Sequence, residues 1–278
     1  MKNMKSSRRR HKRSVEMNKI MILDKIAADT KIRVNKEKRN ISFSQMRAMA
    51  YEKEKGTGFL FEKMLKEPGM HYICEVKKAS PSKGVIAEEF PYLEIAKEYE
   101  AAGAGAISCL TEPKYFLGKN KYLQEIADTV RIPVLRKDFT VDEYMIYEAK
   151  VLGASAVLLI CAILDMDTIR RYIKICDQLG LSALVEVHDE EEMKSAVQAG
   201  ARVIGVNNRN LKDFTVDIGN SLRLREKAPE ETLFVAESGI KTAEDVRRLK
   251  EAQVKGVLIG ETLMRSPDKK ECLRQLDS

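Results

Sequence analysis

Histidines, cysteine pairs and long apolar runs are scarce in this sequence, and each scarcity excludes a class of protein. Only three histidines occur, so no histidine-based metal site is expected. The five cysteines are odd in number, scattered and without a Cys-x-x-Cys pair, which favours a reducing cytoplasm over a disulfide framework. No apolar run approaches the roughly 18 residues that a membrane span needs.

Excess positive charge is confined to the amino terminus. The formal net charge is +7, and residues 1–18 contain seven Lys/Arg against one Glu, so +6 of it lies there. We therefore do not expect the rest of the chain to bind nucleic acid. Residues 1–18 are predicted to be a disordered tail or an over-long start, since Met17 and Met21 follow closely. Contact of this tail with RNA or a membrane, and organelle targeting, are the alternatives.

Eight short apolar runs recur about every 25 to 30 residues beyond residue 70, with amphipathic segments between them. They are HYICEVK (71–77), AISCL (106–110), PVLRK (133–137), AVLLI (156–160), ALVEV (183–187), VIGVN (203–207), LFVAE (233–237) and GVLIG (256–260). Several intervening segments end in a glycine that suits a left-handed helix terminus, namely Gly103, Gly153, Gly180 and Gly200.

Eight strands alternating with helices predict an α/β fold with parallel pairing, and the number favours a (β/α)8 TIM barrel over an open sheet. The predicted organisation is a basic tail over 1–18, a helical extension over 19–70 and the barrel over 71–278. The extension is expected to cap the barrel or to contribute to its mouth.

Polar side chains stand at the ends of five predicted strands. In CEVKKASPS (74–82), Glu75 and Lys77 share one face of a strand because successive residues point to opposite sides. The other positions of this kind are Lys137, Glu186, Asn207 and Glu237. Barrel enzymes keep their chemistry at the carboxyl ends of the strands, so these residues predict one site. The alternative, a salt-bridge lattice that only fills the barrel, is disfavoured by the cost of burying charge.

The last two strands carry a pattern typical of phosphate binding. AESGI (236–240) and LIGETLM (258–264) each place a glycine directly after a strand, where backbone amides can hold a phosphate. Arg209 is expected to add a guanidinium, the alternative being an ordinary surface loop residue. Five apolar residues are predicted to form a wall for a planar substrate group: Phe116, Phe139, Leu158, Ile160 and Leu211. Each of them alone is also compatible with a core position.

Together these motifs resemble a known family. CEVKKASPSKG, LTEPKYFLG, VLRKDF, AVLLI, LVEVHD, IGVNNRNL, VAESGI and LIGETLM occur in the order and spacing of the indole-3-glycerol phosphate synthases of tryptophan biosynthesis, from about residue 21 to the end. These lyases close the pyrrole ring of 1-(2-carboxyphenylamino)-1-deoxyribulose 5-phosphate with loss of carbon dioxide and water. The resemblance implies that reaction, a small phosphorylated substrate, and no cofactor or metal, because decarboxylation restores aromaticity.

The resemblance also implies roles for the site residues. Lys137 is the general acid that protonates the ketone oxygen, and Glu186 is the base of the later dehydration. Such a lysine suits its task if burial and neighbouring positive charge, here Lys77, lower its pKa. Lys77 and Ser80 are placed at the substrate carboxylate, Pro81 is expected to contact the substrate, and Glu75, Asn207 and Glu237 are placed at the reacting centre. Around the phosphate the resemblance places Arg209, Ser238, Gly239, Gly260 and the backbone amide of Glu261.

The sequence departs from the family pattern in few places, and it leaves other functions open. The segment before Met17 has no counterpart, and tryptophan is absent, so any aromatic cover over the substrate comes from another residue. We expect a single activity in a monomer, with a weak homodimer as the alternative. The rival functions are a Schiff-base aldolase that uses one of the lysines, a sugar-phosphate isomerase, and a silent barrel with an RNA-binding tail.

Overall fold

The computed structural model describes residues 22–53, 58–210 and 215–278. The predicted basic tail and Leu211 lie outside the described residues. Within them, no helix is both long and apolar enough to cross a bilayer.

Eight parallel strands close into a barrel, which confirms the predicted fold. The barrel strands are β1 (His71–Val76), β4 (Ala106–Leu110), β5 (Val134–Lys137), β6 (Ala156–Ile160), β7 (Ser182–Val187), β8 (Val203–Asn207), β9 (Leu233–Glu237) and β10 (Gly256–Ile259). Their neighbour order around the barrel is β1-β10-β9-β8-β7-β6-β5-β4, and Cys74 of β1 pairs with both Ile259 and Ile107 to close it. A short antiparallel hairpin that the sequence did not predict, β2 (Ala79–Ser80) with β3 (Gly84–Val85), follows β1.

Helices alternate with the strands and surround them. In chain order they are α1 (22–40), α2 (Phe43–Glu52), α3 (Leu60–Lys66), α4 (Tyr92–Ala101), α5 (Asn120–Thr129), α6 (Tyr144–Val151), α7 (Met166–Leu179), α8 (Glu190–Ala199), α9 (Gly219–Arg225), α10 (Ala243–Glu251), α11 (Glu261–Arg265) and α12 (Lys269–Leu276). The four glycines predicted to end helices all have positive φ angles, between 68° and 96°, as a left-handed terminus requires.

The inner face of the barrel changes character along β1, β5 and β9. Ile73, Leu135 and Val235 point inward near the middle and pack in the apolar barrel interior. Two residues further along the same strands, on the same face, stand Glu75, Lys137 and Glu237. The apolar layer therefore forms a floor under a charged layer at the carboxyl ends.

Ion pairs hold helix α1 against the barrel at its mouth. Arg33 donates from Nη2 to both carboxylate oxygens of Asp138, each at 2.9 Å, and Lys38 Nζ lies 2.7 Å from Asp142 Oδ2. Asp138 directly follows Lys137, so these contacts join the helical extension to the strand that carries the predicted general acid. The extension thereby contributes to the mouth.

Candidate active site

A cavity of about 730 Å³ opens at the carboxyl ends of the barrel strands. Its lining includes every candidate site residue that lies within the described ranges: Glu75, Lys77, Ser80, Pro81, Phe116, Lys137, Phe139, Leu158, Ile160, Glu186, Asn207, Arg209, Glu237, Ser238, Gly239, Gly260 and Glu261. Leu211 is not described. Side chains far apart in sequence therefore meet at one place, which is a condition for the chemistry predicted from them.

Lys137 lies at the centre of the charged layer. Its Nζ atom is 3.0 Å from Glu186 Oε2 and 3.2 Å from Glu237 Oε2. The side chain of Lys137 is 14% exposed, and those of the two glutamates are 5% and 3% exposed. An ammonium group with two buried carboxylates in reach can exchange protons with either of them or with a bound substrate.

Glu75 and Lys77 form an ion pair on the inner face at the end of β1. Gly260 leaves the space for this pair, since a Cβ atom there would lie 2.3 Å from Glu75 Oε1 and 2.9 Å from Lys77 Nζ. The glycine after β10 thus has a packing role at the site besides the predicted phosphate contact.

The pKa of Lys137 is shifted in the direction opposite to the sequence prediction. Burial by itself lowers it, but the carboxylates of Glu186, Glu237 and Glu75 outweigh burial and hold the pKa above its ordinary value. The prediction that burial and Lys77 would lower this pKa was wrong, because three carboxylates lie near the Lys137 ammonium group and Lys77 is itself paired with Glu75. Lys137 is therefore an ammonium in the free site.

The two glutamates next to Lys137 differ in their affinity for a proton. Burial raises the pKa of Glu237 to about 7; Lys137 opposes this rise, and the nearby charges of Glu186 and Glu75 support it. Burial also raises the pKa of Glu186, but Lys137 and His188 outweigh burial, so that pKa lies below its ordinary value. At neutral pH, Glu186 is an ionised base, while Glu237 accepts and releases a proton readily.

Strained backbone follows β9 at the predicted phosphate end. Ser238 and Gly239 have φ angles of 68° and 86°, and a Cβ atom at Gly239 would lie 2.2 Å from Val216 Cγ1. Buried Asn208 braces this turn by donating from Nδ2 to the Ser238 carbonyl at 3.1 Å. Strain held by a buried side chain is typical of functional turns.

The turn after β10 places Glu261 at the start of α11. Its carboxylate lies 3.6 Å from Lys83 Nζ and 3.2 Å from Arg265 Nε. These two cations offset a negative charge that would otherwise repel a phosphate.

Apolar side chains line the opposite part of the cavity. The rings of Phe116 and Phe139 lie 6.2 Å apart between centroids, and Leu158 and Ile160 continue this surface. Helix α1 adds a second apolar surface that the sequence did not predict, formed by Ile22, Leu23 and Ile26. A flat apolar group fits between such surfaces.

Comparison with known proteins shows the family of the chain. Residues 23–276 match the model of the family described as indole-3-glycerol phosphate synthase. The chain is 61% identical over 248 residues to the "Indole-3-glycerol phosphate synthase" of Ruminiclostridium cellulolyticum, covering 89% of this chain and 95% of the relative. It is 53% identical over 269 residues to that of Lachnoclostridium phytofermentans, covering 93% and 99%.

The chain belongs to the indole-3-glycerol phosphate synthase family.

Solved structures of other barrels share the fold alone. A 3-hexulose-6-phosphate synthase matches with a TM-score of 0.61 and 16% identity, covering 74% of this chain and 98% of that one. Thiamine phosphate pyrophosphorylase from Pyrococcus furiosus matches with a TM-score of 0.55 and 19% identity, covering 75% and 93%. At these identities the likeness carries no argument about substrate.

Two polar residues of this synthase-family site escaped the sequence prediction. Asn208 is one, because nothing in its sequence context shows that it reaches the turn after β9. His188 is the other; its Nε2 atom lies 3.4 Å from Glu186 Oε1. The motif LVEVHD (184–189) contains a signal for it, since His188 follows Glu186 at the two-residue spacing that places both on one face.

We predict that Glu237→Gln changes how stability depends on pH. The folded state binds a proton on Glu237 more tightly than the unfolded state does, because the folded pKa is raised from 4.5 to about 7. The stability that this proton contributes is fully present below pH 4.5 and is lost as the pH rises through about 7. Glutamine has no such dependence. The free energy of unfolding of the variant, relative to the unsubstituted protein, should therefore rise by on the order of 2–3 kcal/mol between pH 4.5 and 8. Urea unfolding at both pH values measures this; an unchanged difference contradicts the raised pKa.

We predict that Gly205→Ala displaces Glu237 from Lys137. A Cβ atom at Gly205 would lie 2.3 Å from Glu237 Oε1, and the φ angle of Gly205 is not in the left-handed region, so crowding alone explains this glycine. Overpacking should cost about 1–3 kcal/mol of stability, and misplacing the carboxylate should lower kcat about 10- to 100-fold.

Gly256→Ala is the matched control for Gly205→Ala. Its Cβ atom would crowd Leu65 Cδ2 at 2.9 Å, and Gly256 begins β10, at the end of the strand away from the cavity. It should lower stability with kcat retained. Equal effects of the two substitutions on kcat would show that Glu237 placement is not what Gly205 provides.

Proposed function

We propose that this chain converts 1-(2-carboxyphenylamino)-1-deoxyribulose 5-phosphate to indole-3-glycerol phosphate, carbon dioxide and water. The observation that carries the proposal is the position of Lys137, whose ammonium group lies within 3.2 Å of two buried carboxylates. Around it are an apolar surface for an aromatic ring and a strained turn of the kind that binds phosphate. Ring closure onto a ketone needs this set of groups in one cavity.

Lys137 is proposed to protonate the ketone oxygen as the aromatic carbon attacks the ketone carbon. The high pKa of Lys137 guarantees the ammonium form but makes it a weak acid while three carboxylates surround it. Protonation of Glu237, whose pKa is about 7, removes one of those negative charges and strengthens the acid. We therefore propose that the protonation state of Glu237 controls the acidity of Lys137. This role needs the burial of Glu237, which raises the pKa of that carboxyl group.

Glu186 is proposed to remove the proton that is lost during dehydration. Its pKa is held below the ordinary value, so it is ionised when the step begins. Asn207 orients it by donating from Nδ2 to Glu186 Oε1 at 3.4 Å. The captured proton can pass to Lys137, 3.0 Å away, which restores the acid for the next turnover.

Binding of the substrate is proposed to use the two ends of the cavity. Lys77 at the end of β1 and Ser80 in the hairpin after it face the substrate carboxylate, and Glu75 holds Lys77 in place. Pro81, the next residue of the hairpin, contacts the substrate beside them. Arg209 and the backbone amides of the turns at Ser238–Gly239 and Gly260–Glu261 hold the phosphate. The aromatic ring lies on Phe116, Phe139, Leu158 and Ile160.

The direct test mixes purified protein with the substrate and records indole absorbance and carbon dioxide together. We expect one carbon dioxide for each indole formed. Indole formation without carbon dioxide, or no indole at all, would overturn the proposal. Borohydride added with substrate separates the Schiff-base aldolase, because that mechanism traps a lysine covalently and the synthase forms no imine.

We further propose that the enzyme acts in the cytoplasm as a monomer, with a weak homodimer as the alternative and no nucleic-acid partner for the barrel. The five cysteines are free thiols, as a reducing compartment allows. Sedimentation at several concentrations tests the oligomeric state. Salt-dependent RNA binding that disappears on removing residues 1–18 would instead support a nucleic-acid role for the tail.

A further inference from the structure

His188 connects the buried charged centre to the surface of the protein. Its Nε2 atom lies 3.4 Å from Glu186 Oε1, and its Nδ1 atom lies 3.0 Å from Glu192 Oε2. The side chain of His188 is 14% exposed and that of Glu192 is 21% exposed, against 5% for Glu186. Glu192, His188, Glu186 and Lys137 thus form a line of ionisable groups that runs inward from solvent.

Glu192 holds His188 at both its backbone and its ring. The backbone N–H of His188 donates to Glu192 Oε2 at 2.8 Å, and the ring Nδ1 atom lies 3.0 Å from the same oxygen. The carbonyl of His188 accepts a hydrogen bond from Asn220 Nδ2 of α9 at 3.0 Å. Glu192 stands in the first turn of α8, where Asp189 caps the helix by accepting the N–H groups of Glu191 and Glu192. With Nδ1 held by Glu192, the Nε2 atom on the other side of the ring faces Glu186.

The ionisable groups around His188 favour its imidazolium form. Burial lowers the pKa of His188, but the hydrogen bond to Glu192 and the charges of Glu186 and Glu237 outweigh burial and raise it. Among the described residues, Asp189 and Cys161 also lie near this pair, and the Cys161 Sγ donates to the Glu192 carbonyl. Lys137 lies beyond Glu186. An imidazolium between two carboxylates carries a proton on the nitrogen that faces each of them.

The proposed reaction consumes one proton in each turnover. The ketone oxygen takes two protons and leaves as water, while one proton is lost from the ring that forms. The carboxylate departs as neutral carbon dioxide and leaves its bonding electrons to the aromatic ring. One proton must therefore enter a centre whose acid and base, Lys137 and Glu186, are both buried.

We propose that His188 and Glu192 form a relay that delivers this proton from solvent to Glu186. The inference rests on the proposed function. The imidazolium gives its Nε2 proton to Glu186, which passes it to the Lys137 amine, and Glu192 guides the replacement proton from solvent to His188. With the proton that Glu186 takes from the substrate, Lys137 recovers both protons that it donates. Neither His188 nor Glu192 lines the cavity, so both are positioning residues that act through Glu186.

The test measures kcat and KM against pH for His188→Gln, His188→Ala and Glu192→Gln. We expect kcat to fall about tenfold or more with KM within about twofold, because substrate contacts are intact. In the unsubstituted enzyme kcat should decline as pH rises through the pKa of His188, and this decline should be absent in His188→Gln. Added imidazole should restore part of the activity of His188→Ala.

Matched controls separate the relay from general effects of substitution. His71→Gln removes an imidazole at the opposite end of β1, where the ring contacts the Glu67 carbonyl, and Glu191→Gln removes an exposed carboxylate from the same turn as Glu192. Both should match the unsubstituted enzyme. A His188→Gln enzyme with unchanged kcat and pH profile overturns the relay. So does a lower kcat with an unchanged profile and no imidazole rescue, which shows that His188 only holds Glu186.

The unsubstituted enzyme distinguishes failure of the relay from failure of the proposed function. If it forms indole and the variants behave like the controls, the relay alone is wrong. If it forms no indole at any pH, the proposed function is wrong and the relay is overturned with it.

Discussion

Lys137→Met should lower kcat by about 10²- to 10⁴-fold, the usual effect of removing a general acid. Methionine fills a similar volume but has no proton to give to the ketone oxygen. Lys137→Arg should be nearly as inactive, because it keeps a positive charge beside Glu186 and Glu237 while a guanidinium does not release its proton. Steady-state indole formation measures both variants.

Comparing Lys137→Met with Lys137→Arg distinguishes proton donation by Lys137 from stabilisation by its positive charge alone. Lys97→Met, on the exposed face of α4, is the control for removing a lysine and should keep full activity. A Lys137→Arg enzyme close to full activity would show that charge suffices. If Lys137→Met is nearly unimpaired, another residue is the acid, and Lys77 is the next candidate.

Glu186→Gln should lower the rate of indole formation by about 10²- to 10⁴-fold while leaving decarboxylation less affected. The physical reason is the order of steps: carbon dioxide leaves when the aromatic ring is restored, and the proton for which Glu186 is the base is lost afterwards. A single-turnover experiment with substrate labelled in its carboxylate should therefore show carbon dioxide release ahead of indole absorbance.

Glu190→Gln is the matched control, since Glu190 is an exposed carboxylate four residues along the chain. It should release carbon dioxide and form indole together, as the unsubstituted enzyme does. If carbon dioxide and indole are delayed equally in Glu186→Gln, Glu186 acts before or during ring closure, and Glu237 becomes the candidate base for dehydration.

The fold and the composition of the site follow from local patterns in the sequence. Two-residue periodicity places Glu75, Lys137 and Glu237 on the inner face at strand ends, and parallel strands bring their carboxyl ends to one edge. These inferences need only the strand positions, which the eight apolar runs show clearly.

The electrostatics of the site do not follow from such patterns. About 50 residues separate Lys137 from Glu186 in sequence, and about 50 more separate Glu186 from Glu237. The sign of the Lys137 pKa shift therefore depends on distances that only the closed barrel fixes. The sequence suggests Lys77 as a positive charge that could lower the pKa of Lys137, yet in the structure Lys77 forms an ion pair with Glu75. The apolar surface from α1 likewise depends on how Arg33 and Asp138 dock that helix.

In the proposed reaction, the ketone carbon of the substrate becomes part of an aromatic ring in the cavity around Lys137. Carbon-13 NMR of substrate labelled at that carbon, followed during reaction with the unsubstituted enzyme, tests it most directly. We expect the signal to move from the ketone region to the aromatic region with no other labelled product. A signal that stays in the ketone region, or that moves to an aldehyde or alcohol position, would contradict it.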